Sequence, residues 1–394
     1  MKNIVYLMLL LFFLCSCSNG SGGSPDLTFV STYEGGQLYK AGPVRVLNLH
    51  GTHHQMGRQY GALLKDDLNA LYDLAVATYA ARGFTCDRLK KTGDFIYSKY
   101  PQIYKDVIIG MAETSGLGME KQIVLNALEW IPKINAPGPH CSGIAVWGDY
   151  TAGGPLVFGR NNDDTELFKT FGGYTTVAVL NPTDSGMPVA IVNYAGVIYA
   201  PSGMNREGIF LELNSGNSDG FHVDRPSIVL TLFSFLEKYS TQEQLNTAFQ
   251  SVSPDLASIV NVADENTAYS FECSSSAVVR RNPDAPGLMA ATNHFVDPSW
   301  GIGPPVPDKD NGWTGLRRDN LLKLAADNKG SFDAAKMMQV MDKTIAEGGV
   351  TQPAETIYQI VAVPRDRTLW LKAPAHFDWQ KIDLRALFAK SATP

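Results

Sequence analysis

The chain has 394 residues, 44% apolar and 18% charged, with a net charge of -6. This is ordinary globular composition with ample material for a core, and nothing in it forms the basic footprint of a nucleic-acid binder. Length alone fits about two or three domains, although single large α/β or α+β units also reach this size.

The first residues read as a targeting segment. Lys2 supplies a positive start, and Ile4 to Leu14 is an apolar run too short to span a bilayer comfortably. It ends in Leu14-Cys15-Ser16-Cys17, followed by a Gly/Ser-rich stretch up to Pro25. This resembles the lipobox of bacterial lipoproteins, which implies a signal peptide over 1–16, a lipid on Cys17 and a flexible tether over 17–27. The alternative is an ordinary signal peptide cut nearby. Either reading expects an exported protein, on the periplasmic or cell-surface side of a bacterial membrane. Beyond Cys15 and Cys17 remain Cys86, Cys141 and Cys273, an odd number that leaves at least one thiol unpaired. Cys86 and Cys273 either pair or sit buried.

Residues 28–50 read as short strands, Leu27–Tyr33 and Val44–His50, with a turn at Gly35-Gly36. A helical region from His53 to Tyr79 follows, with Met56, Tyr60, Leu63, Leu64, Leu68, Leu71, Leu74 and Ala75 on one face. Further helices are expected over Asp87–Lys99, Gln102–Glu113 and Met119–Trp130. Then Pro137-Gly-Pro139 breaks any regular element and predicts an exposed loop up to His140. From Cys141 the pattern turns to strands. It returns to helices at Ser227–Tyr239 and Gln242–Val252, gives a second strand set over 258–294, and ends with two helices and two strands. Strands, a helix pair, strands and helices in that order predict two antiparallel sheets stacked between helical layers. The Gly/Pro-rich stretch Asp297–Gly312 reads as a surface loop near whatever binds.

The stretch Cys141–Asp164 carries the chemistry. It reads as a strand, a Gly-rich turn over Thr151–Pro155 and a second strand, so Arg160 and Asp163 fold back to the end where Cys141 sits. A cation lowers the pKa of a nearby thiol, and the thiolate is a strong nucleophile. If the loop is cut between His140 and Cys141, the freed α-amino group, with a pKa of about 7.7–8, becomes a general base. Cysteine then supplies both nucleophile and base. A buried cysteine closing a strand is the reading without chemistry. The chain has no Gly-x-Ser-x-Gly elbow, no His-Glu-x-x-His helix and no P-loop, and no cofactor motif. His50, His53 and His54 cluster in sequence, but no cysteine or carboxylate lies close by in the chain, so metal binding is not expected there.

Cys-Ser-Gly-Ile-Ala from Cys141, with Pro155-Leu-Val-Phe-Gly-Arg-Asn-Asn-Asp163, resembles the N-terminal hairpin of choloylglycine hydrolases and penicillin V acylases, which are cysteine N-terminal-nucleophile (Ntn) hydrolases. Gly203-Met-Asn-Arg-Glu-Gly208 with Leu213-Asn214, and Thr292-Asn293, resemble later motifs of the same enzymes. The front segment Gly51-Thr-His-His-Gln-Met-Gly-Arg-Gln-Tyr-Gly61 resembles the pro-segment of the acyl-coenzyme A:6-aminopenicillanic acid acyltransferase branch. Ala263-Asp264 with Glu272 also fits that branch.

The resemblance implies an α+β fold, the four-layer αββα sandwich, with a mainly helical pro-segment over 28–140 and a catalytic region over 141–394. It implies self-cleavage between His140 and Cys141 into fragments that stay associated. It assigns Cys141 as nucleophile, Arg160 against the thiolate, Asp163 on the amine, Asn214 and Asn293 in the oxyanion region, and Arg317 completing the network, with Arg318 adjacent in register. The expected activity is hydrolysis of a linear amide of an N-acylated small molecule, without a cofactor. Rival readings are an N-acyltransferase using the same acyl-enzyme and a non-catalytic acyl-ligand-binding lipoprotein. N-acyl amino acids, penicillin-like amides, bile-salt conjugates and other fatty amides all remain open as substrates.

Overall fold

The computed structural model describes residues 27–133, 140–216 and 221–388. The signal segment, Cys17, the tether up to residue 26 and the Pro/Gly loop over 134–139 lie outside the described residues.

Strands β1 (Thr28–Tyr33), β2 (Gly36–Ala41) and β3 (Val44–Gly51) open the chain. Helices α1 (His53–Leu63), α2 (Lys65–Ala80), α3 (Cys86–Ser98), α4 (Gln102–Thr114), α5 (Gly118–Asn126) and α6 (Trp130–Lys133) follow. The hairpin β4 (Ser142–Val146) and β5 (Val157–Asp163) leads through the short α7 (Glu166–Lys169) into β6 (Thr175–Pro182), β7 (Val189–Tyr194), β8 (Ser202–Asn205) and β9 (Phe210–Ser215). Then come α8 (Ile228–Lys238) and α9 (Gln242–Phe249), and strands β10 (Ser258–Ala263), β11 (Ala268–Cys273), β12 (Val278–Arg281) and β13 (Leu288–Ala291). The described chain closes with α10 (Thr314–Asp327), α11 (Ala334–Asp342), β14 (Thr356–Val363), β15 (Thr368–Ala373) and β16 (Phe377–Asp383).

One sheet has ten strands in the order β1-β2-β3-β6-β7-β8-β9-β10-β11-β12, and the other six in the order β13-β4-β5-β14-β15-β16. All pairings are antiparallel except β3 on β6. Helices α10 and α11 cover the outer face of the six-stranded sheet, while α1 and α8 cover the ten-stranded one. The fold is therefore α+β, in four layers. Alternation along the hairpin explains the layering, because successive side chains on a strand point to opposite faces. Ile144, Val146 and Val157 join Leu321 and Met337 under the outer helices, whereas Ala145 and Phe158 face the other sheet. Phe158 meets Phe210 of β9 there, with ring centroids 5.1 Å apart.

The front segment is woven into this frame. Its strand β3 pairs with β6 from Arg45 opposite Thr176 to Gly51 opposite Pro182, which places β1 to β3 at one end of the large sheet. The glycines of the Gly51–Gly61 motif have a packing role. A Cβ on Gly57 would sit 2.1 Å from the Val107 carbonyl oxygen, and one on Gly61 2.5 Å from that of Met111. Helices α1 and α4 therefore touch backbone to backbone. Thr52 and Gln55 form a reciprocal capping box at the start of α1.

Several expectations are corrected. The helix expected over His53–Tyr79 is two helices, interrupted at Leu64 (φ -113°, ψ 23°), after which Asp66 and Asp67 occupy the favourable first turn of α2. Strands β2, β8 and β16 were not expected. β8, Ser-Gly-Met-Asn, has no strand-forming alternation of its own and is buried by its neighbours. The edge strand β16 is mostly half-exposed, so its apolar pattern is weak. Cys86 and Cys273 are both free, the first exposed and the second buried. Among the described residues no helix is long and apolar enough to cross a membrane.

Candidate active site

Cys141 immediately precedes β4 and is buried. Ser142 pairs with Asn161 and Gly143 with Arg160, so the hairpin sets Cys141 beside Asn162. Strand parity then divides the surroundings. Cys141, Arg160 and Asn162 face the gap between the sheets, while Ser142 and Asp163 face the helix α10 side.

In the gap, Arg160 Nη2 lies 4.0 Å from Cys141 Sγ and donates to Asn162 Oδ1 at 2.6 Å. Its Nη1 donates to Glu212 Oε2 at 2.5 Å and to the carbonyls of Pro201 and Leu213 at 3.0 Å. Both Arg160 and Glu212 are fully buried, and Asn261 donates to the other Glu212 oxygen. A Cβ on Gly143 would sit 2.2 Å from Glu212 Oε1, so the glycine after Cys-Ser lets the ion pair pass between the sheets. Burial pushes the Cys141 thiol up to about 12 despite the nearby Arg160 charge, so in the uncut chain it is a thiol.

On the helix side, Arg317 is fully buried and donates from Nη1 to the Cys141 carbonyl and to Ser142 Oγ, both at 2.7 Å. Its Nη2 donates to Asn293 Oδ1 at 2.7 Å. Arg318 turns away to Asp284, which decides the register between the two arginines. Asp308 holds the start of α10 by accepting from Gly315 N at 2.8 Å and Leu316 N at 3.0 Å, so the Gly/Pro-rich loop fixes the turn that carries Arg317. Asp163 is buried, its Oδ2 3.5 Å from Gln352 Nε2 and its Oδ1 without a hydrogen-bond partner among the described residues. Burial pushes its carboxyl up to about 6, against the pull of the Arg317 charge.

Asn293 donates from Nδ2 to the Ser215 carbonyl at 2.9 Å. Asn214, on β9, makes only a long 3.5 Å contact to the Ala291 carbonyl, and its Oδ1 has no partner among the described residues. His140 is held by Glu355, Nδ1 to Oε2 at 3.0 Å, so the residue before Cys141 is pinned too.

Cys141 opens onto a narrow cleft lined by Arg160, Asn162, Glu129, Trp130, Tyr199 and Leu213 among others. Sequence reasoning missed Asn162, Glu212, Glu129 and Glu355. Glu212 had a legible signal, a lone carboxylate inside the apolar strand Ile209-Phe-Leu-Glu-Leu213. Asn162 shares its strand face with Arg160 in the hairpin, whereas Glu129 and Glu355 join the site only in space.

The remaining motifs hold the frame. Asn205 accepts from Ile209 N at 3.0 Å and donates to the Leu236 carbonyl at 3.0 Å, tying the sheet to α8. Glu272 accepts from Val296 N at 2.8 Å and Trp300 Nε1 at 2.7 Å, anchoring the segment after Asn293. Among the histidines, His53 does have carboxylates close by, brought from far along the chain. Its Nδ1 lies 2.7 Å from Asp184 and its Nε2 3.1 Å from Glu237. Among the described residues no group of three His, Cys, Asp or Glu side chains is arranged to hold a metal ion.

No family model matches the chain. Protein dcd1B of Dictyostelium discoideum is 23% identical over 316 residues, which is 71% of this chain and 59% of that protein. The chain therefore matches less than two thirds of the length of this relative. Among solved structures, it is similar to an N-acylethanolamine-hydrolyzing acid amidase ortholog of Caenorhabditis elegans. There the identity is 18%, with 62% of this chain and 100% of that one covered, and the TM-score is 0.44. A mutant conjugated bile acid hydrolase of Clostridium perfringens (14% identity, 62% and 93% covered, TM-score 0.43) is also similar. So is penicillin V acylase of Agrobacterium tumefaciens (13% identity, 62% and 86% covered, TM-score 0.43). At this distance the chemistry has to be read from the site itself.

Proposed function

We propose that this protein is an exported, lipid-anchored Ntn amidohydrolase that cuts itself before Cys141 and then hydrolyses a linear amide of an N-acylated small molecule. The observation that carries the reading is the setting of Cys141. Its thiol faces the Arg160–Glu212 pair at the head of a cleft, its carbonyl is held by Arg317, and a buried carboxylate with an unused oxygen, Asp163, lies beside it.

In the processing step the Cys141 thiol adds to the His140 carbonyl carbon, and the amide nitrogen takes a proton as the carbon–nitrogen bond breaks. Water then hydrolyses the thioester, leaving a His140 carboxylate and a free Cys141 amine and thiol. In turnover that amine accepts the thiol proton and the thiolate attacks the substrate carbonyl. The amine then returns a proton to the leaving nitrogen, and water releases the acid. Asp163 is suited to hold the ammonium form, and Asn214 or Asn293 to donate to the tetrahedral oxyanion. The parallel β3–β6 pairing and the contacts of His53 with Asp184 and Glu237 support association of the two fragments after the cut. The Cys17 lipid and the export rest on the sequence alone.

The same acyl-enzyme serves an N-acyltransferase, which differs only in the acceptor. The deciding experiment is mass spectrometry of the purified protein beside its Cys141→Ala variant, followed by assay on N-acyl amides. Wild type is expected as two fragments divided at Cys141 and active, and the variant as one inactive chain. An uncut wild-type chain that matches the variant and hydrolyses no amide overturns the reading.

A further inference from the structure

We infer that Glu355 is a positioning residue for the self-cleavage, acting through the His140 side chain to hold the carbonyl that the Cys141 thiol attacks. The inference rests on the processing step above and adds to it a residue 215 positions from His140.

Both sides of the bond to be cut are tied to one frame. On the Cys141 side, Arg317 Nη1 donates to the Cys141 carbonyl at 2.7 Å, and its Nε donates to the Gly312 carbonyl at 2.7 Å. On the other side, the His140 ring lies over that same Gly312, where a Cβ would sit 2.3 Å from the ring's Cγ. Gly312 has a φ of 63°, in the left-handed region that favours glycine, so this turn leaves the space the ring fills. The ring edge is then fixed by Glu355, whose Oε2 lies 3.0 Å from Nδ1. A carboxylate only accepts, so Nδ1 is the nitrogen that carries the proton. The same hydrogen bond holds the Glu355 carboxyl below its ordinary range. Glu355 is fixed to the hairpin in turn. Its carbonyl accepts from Asp164 N at 2.9 Å, and the next residue, Thr356, pairs with Asp163. Attack needs the His140 carbonyl presented to Cys141 Sγ, and a residue with a free side chain samples many other orientations. Seating the ring on Gly312 and tying it to Glu355 restricts them, which is an entropic advantage for the reaction. The pair does little for the fold, because the side chains of His140 and Glu355 are 27% and 33% exposed and such pairs contribute little to stability. A contact that is weak for stability but placed on the residue to be cut has its consequence in the rate of cutting.

The test follows self-cleavage of the full chain made by cell-free synthesis, read as the fraction divided at Cys141 against time. Glu355→Ala and His140→Ala are each expected to slow the cut by about tenfold or more. The double variant is expected to be no slower than the slower single one, because each removes the same contact. Glu355→Gln, which keeps an acceptor for Nδ1, is expected to recover most of the rate. In uncut chains carrying Cys141→Ala, Glu355→Ala is expected to move the melting temperature by no more than about 2 °C. A wild-type rate in either single variant, additive slowing in the double one, a Gln variant as slow as the Ala one, or a larger melting shift each overturns the inference while leaving the amidohydrolase reading intact. A wild-type chain that is never cut and hydrolyses no amide removes both.

Discussion

Around His53 and around Cys141 the molecule gathers ionisable groups from distant parts of the chain, but it finishes the two clusters differently. At His53 every polar atom is used. Asp184 accepts from the His53 backbone N–H at 3.0 Å and bonds the ring, Glu237 bonds the other ring nitrogen, and Tyr104 donates to Glu237 at 2.6 Å. Burial opposes the charge on His53, but Glu237 and Asp184 together raise its pKa above the ordinary value. This cluster ties α1 and α4 of the front segment to the β6–β7 turn and α8. At Cys141, by comparison, Arg160 Nε, Asp163 Oδ1 and Asn214 Oδ1 have no partner among the described residues. A buried polar atom left without a partner costs about 1–3 kcal/mol and remains open to a ligand or reacting group. The difference teaches that the first cluster is a closed clamp, whereas the second keeps polar atoms open beside Cys141.

The sharpest way to break that comparison is to remove Arg160. Arg160→Ala leaves Glu212 buried and unpaired and is expected to cost about 3–5 kcal/mol in urea unfolding. Adding Glu212→Gln should recover a large part of that loss. If the single variant is as stable as wild type, the pair is not the strut between the sheets described above.

Next in size is Asn214→Ala, expected to lower kcat on an acyl amide by about 10²–10³ with little change in stability, if its amide donates to the oxyanion. An unchanged kcat would move that role to Asn293 alone.

Asp163→Asn should act with pH. The folded carboxyl is raised to about 6 from an ordinary 3.8, so the folded state binds its proton first as pH falls. Ionising it therefore destabilises the fold by roughly 3 kcal/mol above pH about 6, a penalty absent below the unfolded value. In the uncut chain, carried as Cys141→Ala, the Asn variant should melt higher at pH 7.5, and the gain should vanish toward pH 3.5. A gain independent of pH would contradict this assignment.

The smallest effect belongs to the clamp. Tyr104→Phe strips Glu237 of a donor and should cost about 1–3 kcal/mol without altering chemistry at Cys141. The His53 contribution has the opposite pH sense. Its raised pKa stabilises fully below the ordinary value of 6.5 and is lost as pH rises through the raised one. Denaturation at pH 5.5 and 8.5 checks both, and a clamp that strengthens with rising pH would refute the assignment.

Much of this molecule was legible in its sequence, for local reasons. The strand–turn–strand of Cys141 to Asp163 follows from alternation and a Gly-rich turn, and alternation also predicts that Cys141 and Arg160 come near each other. The order of strands and helices gave the two-sheet, four-layer arrangement. What depends on several elements at once was not legible. No spacing pairs Arg160 with Glu212, 52 positions away, or brings Glu129 to the cleft wall and Asp184 to His53. Nor does the helix pattern of α10 say which of its adjacent arginines turns inward. That is set by Asp308 holding the first turn and by the Cys141 carbonyl waiting at its end. The sequence by itself determined the Cys141 hairpin, because a hairpin is local. Only the tertiary structure decided which charges surround the thiol and which are already spent, because burial and pairing are properties of the packed layers.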